Sequence, residues 1–362
     1  MPNPAPPFIV APSPLRDTTA AIFRSTGLSE ADADWVAHCL VLAELRGVGT
    51  HGVSRVPIYA ERLRNGAANP HPQMELTQPR PAALHLRADN ALGFIAARHA
   101  LDAAISLART QGIAIAGVSE SAHFGMAAAY LLHATQAGMG ALVFTNASPS
   151  MPIWGGREPF LGTSPFAFGV PGGNDSPPIL LDMATSVAAR GKIRQAIASG
   201  QPIPEGWALD PDGNPTTDAQ RAYDGILLPV GGPKGSGLSL MMEIMAGVLT
   251  GAAFGGQVRD QYKARALPQD VGHCFILFAP DLFMPAEPFR NRMDALVREA
   301  RSGERLDPAQ PILMPGEPEA AIMRAREQDG IPLSATVLGQ FLDEAAQAGI
   351  RVTADDLRMK QE

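Results

Sequence analysis

The sequence predicts an α/β protein: a central mixed sheet with a helical layer contributed by both ends of the chain. Three observations predict it. Helical periodicity fills the stretch up to about residue 78 and returns after about residue 285; short apolar strand runs alternate with helices in between; and 46% of the 362 residues are apolar, enough to bury a large core. The expected organisation is an arm over 1–12, a discontinuous helical domain from 13–78 and 285–355, and a central α/β domain over 79–284.

Each element has a local reason. The proline-dense start, Met1-Pro2-Asn3-Pro4-Ala5-Pro6-Pro7, reads as a mobile arm. Ser13-Pro14 supplies an N-cap and a first-turn proline, and Leu15, Ile22 and Phe23 keep helical spacing to Gly27. Ser29 with Asp32 opens a second helix through Val36, Leu40 and Ala43, and a third runs from about Val53 to Asn65-Gly66. From about Pro79 the pattern alternates: a strand at 84–87, a helix at 93–111, a buried strand at 113–118, a helix at 127–136 and a strand at 139–145. A Pro/Gly-rich loop follows over 148–165, then strands at 166–170 and 179–183. A polar excursion over 201–218 leads to Gly231-Gly232-Pro233-Lys234-Gly235-Ser236-Gly237 and an apolar helix over 238–249. The last strand is expected at 274–278, and helices at 287–300, 317–328 and 334–348.

Composition excludes several functions. Acidic residues outnumber basic ones, 36 to 29, for a formal charge of −7, so a nucleic-acid-binding surface is not expected. No apolar run approaches the ~18 residues of a membrane span, and the start lacks the basic and apolar regions of a signal peptide. A cytoplasmic protein is expected, in keeping with only two cysteines. His38-Cys39 and His273-Cys274 could make a zinc site on paper, but neighbours on a strand or helix diverge, so buried thiols are expected and no metal.

Gly47-Val48-Gly49-Thr50-His51-Gly52 fits the dinucleotide fingerprint letter for letter, yet a helix precedes it where that fingerprint needs a strand. A nicotinamide cofactor would therefore bind by a non-Rossmann route. The same loop places His51 at the mouth of a helix with Arg55 four residues on. An imidazole that moves a proton beside a guanidinium that grips a carboxylate suits 2-oxo acid chemistry; a loop histidine beside a surface arginine is the alternative. His123, in Ser121-Ala122-His123-Phe124-Gly125, follows a buried strand where α/β sheets hold ligands, or bonds locally to backbone. The 231–237 loop with Lys234 reads as a phosphate cradle or a plain glycine-rich turn, and Asp182 as a ribose acceptor or a cap. His38, His85, His99 and His133 fall in ordinary periodic segments and read as structural. Neither Gly-x-Ser-x-Gly nor His-Glu-x-x-His is present.

Eight segments occur in one collinear order: Thr50-His51-Gly52-Val53-Ser54-Arg55, 121–125, Gly162-Thr163-Ser164-Pro165, Leu181-Asp182-Met183-Ala184-Thr185-Ser186, Ala189-Arg190-Gly191-Lys192-Ile193, Gly206-Trp207-Ala208-Leu209-Asp210, Lys234-Gly235-Ser236-Gly237-Leu238 and Pro315-Gly316-Glu317. Over about residues 14 to 350 the chain resembles the type 2 malate/L-lactate dehydrogenase family, whose relatives include ureidoglycolate and sulfolactate enzymes and Δ1-piperideine-2-carboxylate reductases. The resemblance implies a non-Rossmann NAD(P)-binding mixed sheet, a homodimer with its site near the subunit contact, and NAD or NADP as cofactor. It implies hydride transfer between nicotinamide and a small 2-oxo or 2-hydroxy acid, with a cyclic imine reductase and a catalytically idle ligand-binding homologue as alternatives. It implies His51, with Thr50 beside it, as acid/base, Arg55 as carboxylate clamp and Thr163 as a substrate contact. His123 is implied as cofactor wall or as acid/base. Phe124, Gly125, Asp182, Met183, Ala184, Lys234, Gly235, Ser236, Gly316 and Glu317 are implied as the cofactor cradle. The chain departs from the family pattern at Thr50 (usually serine), Glu120 (often asparagine) and Lys192 (an acid in some reductases).

Overall fold

Caps and apolar periodicity set most elements of the computed structural model, which describes residues 7–359. In chain order these are β1 Phe8–Val10, α1 Pro12–Ser25, α2 Glu30–Leu45, α3 Val56–Arg64, β2 Glu75–Arg80, β3 Ala83–Arg87, α4 Gly93–Gln111, β4 Ile113–Ser121, α5 Ala128–Gln136 and β5 Gly140–Thr145. They continue with β6 Phe166–Val170, β7 Ile179–Met183, α6 Arg190–Ser199, β8 Ala208–Leu209, α7 Ala219–Asp224, β9 Ile226–Leu227, α8 Pro233–Glu243 and β10 Val271–Phe278. α9 Ala286–Arg301, α10 Glu317–Asp329, β11 Ile331–Leu333, α11 Ala335–Gln347 and α12 Ala354–Leu357 close the chain. Ser29 caps α2 as expected, its hydroxyl accepting the Asp32 N–H at 3.2 Å.

A seven-stranded sheet in the order β2-β3-β4-β10-β5-β6-β7 carries the centre of the fold. β3 and β4 run parallel, joined by α4 as a crossover, and every other neighbouring pair is antiparallel, so the sheet is mixed. Alternation along β10 sorts its residues between two cores. Phe275 and Leu277 join the large core with α4, α5 and the terminal helices, while Cys274 packs with Phe144 and Met242 against α8. The same alternation sends His273 and Cys274 apart, and among the described residues no group of His, Cys, Asp and Glu is arranged for a metal. Cys39 and Cys274 are both free and buried.

The helical layer comes from α1, α2, α3 and α11, which share the large core with one face of the sheet. Of the expected arm, residues 1–6 lie outside the described residues, and 8–12 are ordered instead. Phe8, Ile9 and Val10 pair with Leu333, Pro332 and Ile331, which buries Val10 fully, and Pro12 already begins α1. α9 lies on the central part of the chain: its Asp294 accepts N–H bonds from Asn174, Asp175 and Ser176. α8 begins five residues before the expected Leu238, because Gly232 turns the chain with a positive φ and Pro233 fits the first turn. Among the described residues no helix is long and apolar enough to cross a membrane.

Candidate active site

Between α2 and α3 the chain makes two separate 3-10 turns, Gly49–His51 and Val53–Arg55, broken at Gly52 (φ −95°, ψ −149°). The expected single helical face for His51 and Arg55 is therefore replaced by two turns. Glu44 causes the break. This carboxylate, 4% exposed at the end of α2, accepts the Val53 N–H at 2.9 Å, and a Cβ on Gly52 would stand 2.0 Å from its Oε1. Burial raises the Glu44 carboxyl to about 7, against the Val53 hydrogen bond and the Arg326 charge, which lower it.

The turns bring His51, Thr50 and Arg55 against His123. The two imidazoles stack with centroids 5.6 Å apart and planes 20° from parallel. Thr50 Oγ1 lies 3.0 Å from His51 Nδ1, and the Thr50 methyl occupies space left by Gly191, whose Cβ would stand 2.8 Å from it. His123 Nδ1 accepts the Gly125 N–H at 3.2 Å and faces the Tyr59 hydroxyl at 2.7 Å. Because Gly125 already donates to that nitrogen, Tyr59 donates too, and the His123 proton sits on Nε2. Burial keeps the Tyr59 phenol protonated by raising it well above its usual range. Burial, then the Arg55 and Arg194 charges, lower His51 to about 3; His123 is lowered by burial and by Arg55, His51, His273 and Arg194. Both rings are neutral near pH 7.

Two cavities meet at these rings. The larger, about 740 Å³, runs from His51, His123 and Thr163 past Phe124, Gly125, Asp182 and Ala184 to Arg46, Gly316 and Glu319. The smaller, about 130 Å³, is lined by Arg55, Arg190, Arg194, Tyr262, Ser150 and Gln261. Thr50, His51, His123, Asn146 and Thr163 line both. Arg55 is 8% exposed rather than a surface residue: its Nε donates to Thr50 O at 2.7 Å, and its NH1 donates to the Tyr262 hydroxyl. Asp182 is exposed to the large cavity, and protein packs closely around that part of the wall. Burial pushes its carboxyl up to about 6, although it accepts the Ala128 N–H at 2.7 Å and feels Arg46.

The large cavity fits a dinucleotide. Its volume lies within the ~300–1,000 Å³ of small-molecule and cofactor pockets, and Arg46, which lines it, is 3% exposed with a buried Nε that has no hydrogen-bond partner. Of the expected cradle, Phe124, Gly125, Asp182, Ala184 and Gly316 line this cavity; Met183 and Glu317 do not, and Glu317 instead accepts the Met314 N–H at 2.8 Å. Lys234, Gly235 and Ser236 also lie outside it. They form the first turn of α8, with Lys234 exposed and Ser236 Oγ accepting the Trp154 N–H at 3.0 Å. Glu120 turns away from the site, its Oε1 taking bonds from Arg87 at 3.0 and 2.8 Å.

Sequence reasoning missed Glu44, Arg46, Tyr59, Asn146, Arg194, Tyr262 and Gln261. One signal was present: Glu44 interrupts the apolar run Cys39-Leu40-Val41-Leu42-Ala43, and an acid there needs a buried partner.

Residues 10–341 match the family model described as malate/L-lactate dehydrogenase. The chain is 33% identical over 348 residues to the L-sulfolactate dehydrogenase of Methanocaldococcus jannaschii, covering 95% of this chain and 98% of that one. It is 34% identical over 319 residues to the ureidoglycolate dehydrogenase (NAD(+)) of Escherichia coli O157:H7, covering 88% and 90%. The solved malate dehydrogenase from Pyrococcus horikoshii OT3 superposes with a TM-score of 0.87 at 31% identity, covering 96% of this chain and 97% of that one.

Proposed function

Because the chain belongs to the malate/L-lactate dehydrogenase family, we propose that it is an NAD(P)-dependent 2-hydroxy acid dehydrogenase, interconverting a small 2-hydroxy acid and its 2-oxo acid. The observation that carries this reading is the pair of neutral imidazoles where a dinucleotide-sized cavity meets a small guanidinium-lined one. NAD(P) supplies the hydride acceptor and NAD(P)H the donor at the substrate's C2. The chain's residues do the rest. Arg55 holds the substrate carboxylate; its Nε is already fixed by Thr50 O, so the guanidinium is set before the substrate arrives. His51 takes the hydroxyl proton in oxidation and returns it to the forming alkoxide in reduction, with Thr50 Oγ1 orienting its ring. An anionic substrate offsets the Arg55 and Arg194 charges that depress His51, raising the imidazole toward the working pH. His123, held by Tyr59 and Gly125 with its proton on Nε2, donates a fixed hydrogen bond into the same junction. Thr163 is proposed as a further substrate contact.

In this proposal Phe124, Gly125, Asp182, Ala184, Gly316 and Arg46 hold the cofactor, and Lys234 reaches it across a homodimer contact. α8 supports that last step: it turns Ser239 and Glu243 inward and shows Leu240 and Met241 outward, continuing to exposed Ile244 and Val248. The helical and α/β domains over 13–78 with 285–355, and over 79–284, belong to the same proposal, with α9 tied to the α/β part through Asp294, as does a cytoplasmic location, which two free thiols suit.

The test is to mix the protein with NADH or NADPH and a panel of 2-oxo acids and a piperideine-2-carboxylate, and to follow cofactor absorbance. Turnover of a 2-oxo acid is expected. Turnover of the imine alone would replace the reading by an imine reductase, and cofactor binding without any turnover by an idle homologue.

A further inference from the structure

Ahead of β10 the chain makes a compact loop whose ends meet. The Arg259 N–H donates to Gln269 O at 3.3 Å and Gln269 Nε2 donates to Arg259 O at 3.2 Å, closing residues 259–269 with neither helix nor strand inside. The turn is built on Asp260, whose Oδ1 accepts N–H bonds from Tyr262 and Lys263 at 2.8 and 3.2 Å. This loop touches the candidate site at two places. The Tyr262 hydroxyl accepts from Arg55 NH1, and Gln269 Oε1 accepts the His123 N–H at 3.1 Å. Arg55 already gives its Nε to Thr50 O, so Tyr262 is the second point that fixes the plane of its guanidinium.

One arginine grips the loop from the other side. Arg62, on α3, is fully buried; its NH1 donates to Ala264 O at 3.3 Å and Arg265 O at 3.4 Å, and its NH2 donates to Leu267 O at 2.8 Å. Its neighbour Glu61 pairs with Arg265 at 2.9 Å instead, and Arg62 Nε has no partner. A buried guanidinium answered by carbonyls alone is weak support for stability, so its presence calls for another reason. The reason lies on the same helix. Tyr59, three residues earlier, donates to His123 Nδ1 at 2.7 Å. α3 thus reaches His123 directly through Tyr59, and reaches both Arg55 and His123 again through the loop that Arg62 holds.

We propose that Arg62 is a positioning residue for the reaction: by holding three carbonyls of the 259–269 loop it sets Tyr262 against Arg55 and Gln269 against His123. Arg62 itself lines neither cavity, so it acts only through these groups. Without its grip the loop drifts, Arg55 is fixed by Thr50 O alone, and the carboxylate clamp must be ordered each time a substrate binds, which weakens binding and misplaces the reacting carbon. The inference rests on the dehydrogenase reading above and names a residue that serves it from outside the site.

The experiment is a double-mutant cycle on Arg62→Met and Tyr262→Phe, with Arg62→Lys beside it. It measures kcat and KM for pyruvate and oxaloacetate at saturating NADH or NADPH, cofactor affinity by fluorescence titration, and the urea midpoint of each variant. Arg62→Met is expected to lower kcat/KM about tenfold to a hundredfold, chiefly through KM, with cofactor affinity within about threefold of wild type. Tyr262→Phe lowers kcat/KM about three- to tenfold. The double variant loses no more than Arg62→Met alone, and Arg62→Lys recovers part of the loss. A role in stability alone would lower the urea midpoint and let the two losses multiply. Losses that multiply, or a folded Arg62→Met with kcat/KM within about twofold of wild type, overturn the inference and leave the dehydrogenase reading standing. If Arg62→Met does not fold, the cycle is run with Arg62→Lys and read in the same way. Failure of the wild type with every 2-oxo acid and both cofactors overturns that reading and this inference with it.

Discussion

Replacing Gly52 by alanine tests how the site is built. The new Cβ would stand 2.0 Å from Glu44 Oε1, 2.4 Å from its Cδ and 2.7 Å from its Cγ, so the whole end of the side chain is in the way. Glu44 would have to retreat by more than about 1 Å before contacts approach the ~3.5 Å of ordinary packing. It is 4% exposed and holds the Val53 N–H at 2.9 Å, so retreat breaks that bond inside the protein. An unsatisfied buried amide costs about 1–3 kcal/mol, and an off-rotamer side chain about 0.5–1.5 kcal/mol. The expected destabilisation is therefore roughly 2–4 kcal/mol. The turns carrying His51 and Arg55 flank the substitution, and a shift of ~1 Å in catalytic groups costs about a hundredfold in rate. Gly49→Ala is the control: its Cβ meets Glu44 Oε2 at 3.1 Å and the Glu44 Cδ and Oε1 at an ordinary 3.7 Å, and a loss below about 1 kcal/mol is expected. Urea unfolding gives the first quantity and steady-state kcat the second. A Gly52→Ala protein that unfolds at the wild-type midpoint with kcat within roughly twofold would refute this account of the loop.

Other outcomes follow from the same geometry. Tyr59→Phe removes one of the two donors that hold His123 Nδ1, and kcat is expected to fall about three- to tenfold, measured at fixed saturating cofactor; an unchanged kcat would show that Gly125 suffices. His273 is fully buried and burial lowers it to about 3, so the folded protein resists protonation there while the unfolded chain accepts it near 6.5. Stability from this group is present above about pH 6.5 and drains away as pH falls toward 3, reaching a loss of about 2 kcal/mol at pH 5. The stability difference between pH 8 and pH 5 should shrink by that amount in His273→Gln, read from urea midpoints at each pH. Lys234→Ala should weaken NADH binding up to about tenfold if the lysine acts across subunits, and dilution of the wild type to monomer should cost the same increment; a monomer that binds NADH at full strength would remove Lys234 from the cofactor site.

The sequence made much of this legible where local chemistry decides the outcome. Ser29 and Asp32 announce α2, the 93–111 periodicity announces α4, and the apolar runs at 113–118 and 274–278 lie in β4 and β10. β2 was not legible, because Glu75–Arg80 is exposed along its whole length and includes Pro79, leaving no alternation to read. β1 and β11 are three residues each and pair across more than 300 residues of chain, with β1 also bridged to Arg358. The glycines at 235 and 237 suggested a loop, yet Gly235 lies in a helical turn whose would-be Cβ meets Val230 O at 2.3 Å, so close packing explains it. In the site, motif order marked His51, Arg55 and His123. Arg194, Tyr262 and Gln261 reach the same cavity from segments about 70 residues apart, a proximity that only the tertiary fold creates.

The most direct measurement is a paired one on His51→Ala: kcat for 2-oxo acid reduction alongside the NADH dissociation constant. With His51 as the proton carrier and the cofactor held elsewhere in the large cavity, kcat should drop about 10²- to 10⁴-fold while the dissociation constant moves less than about threefold. A variant that keeps its turnover, or that loses cofactor affinity in step with kcat, would contradict the assignment of acid/base work to this imidazole.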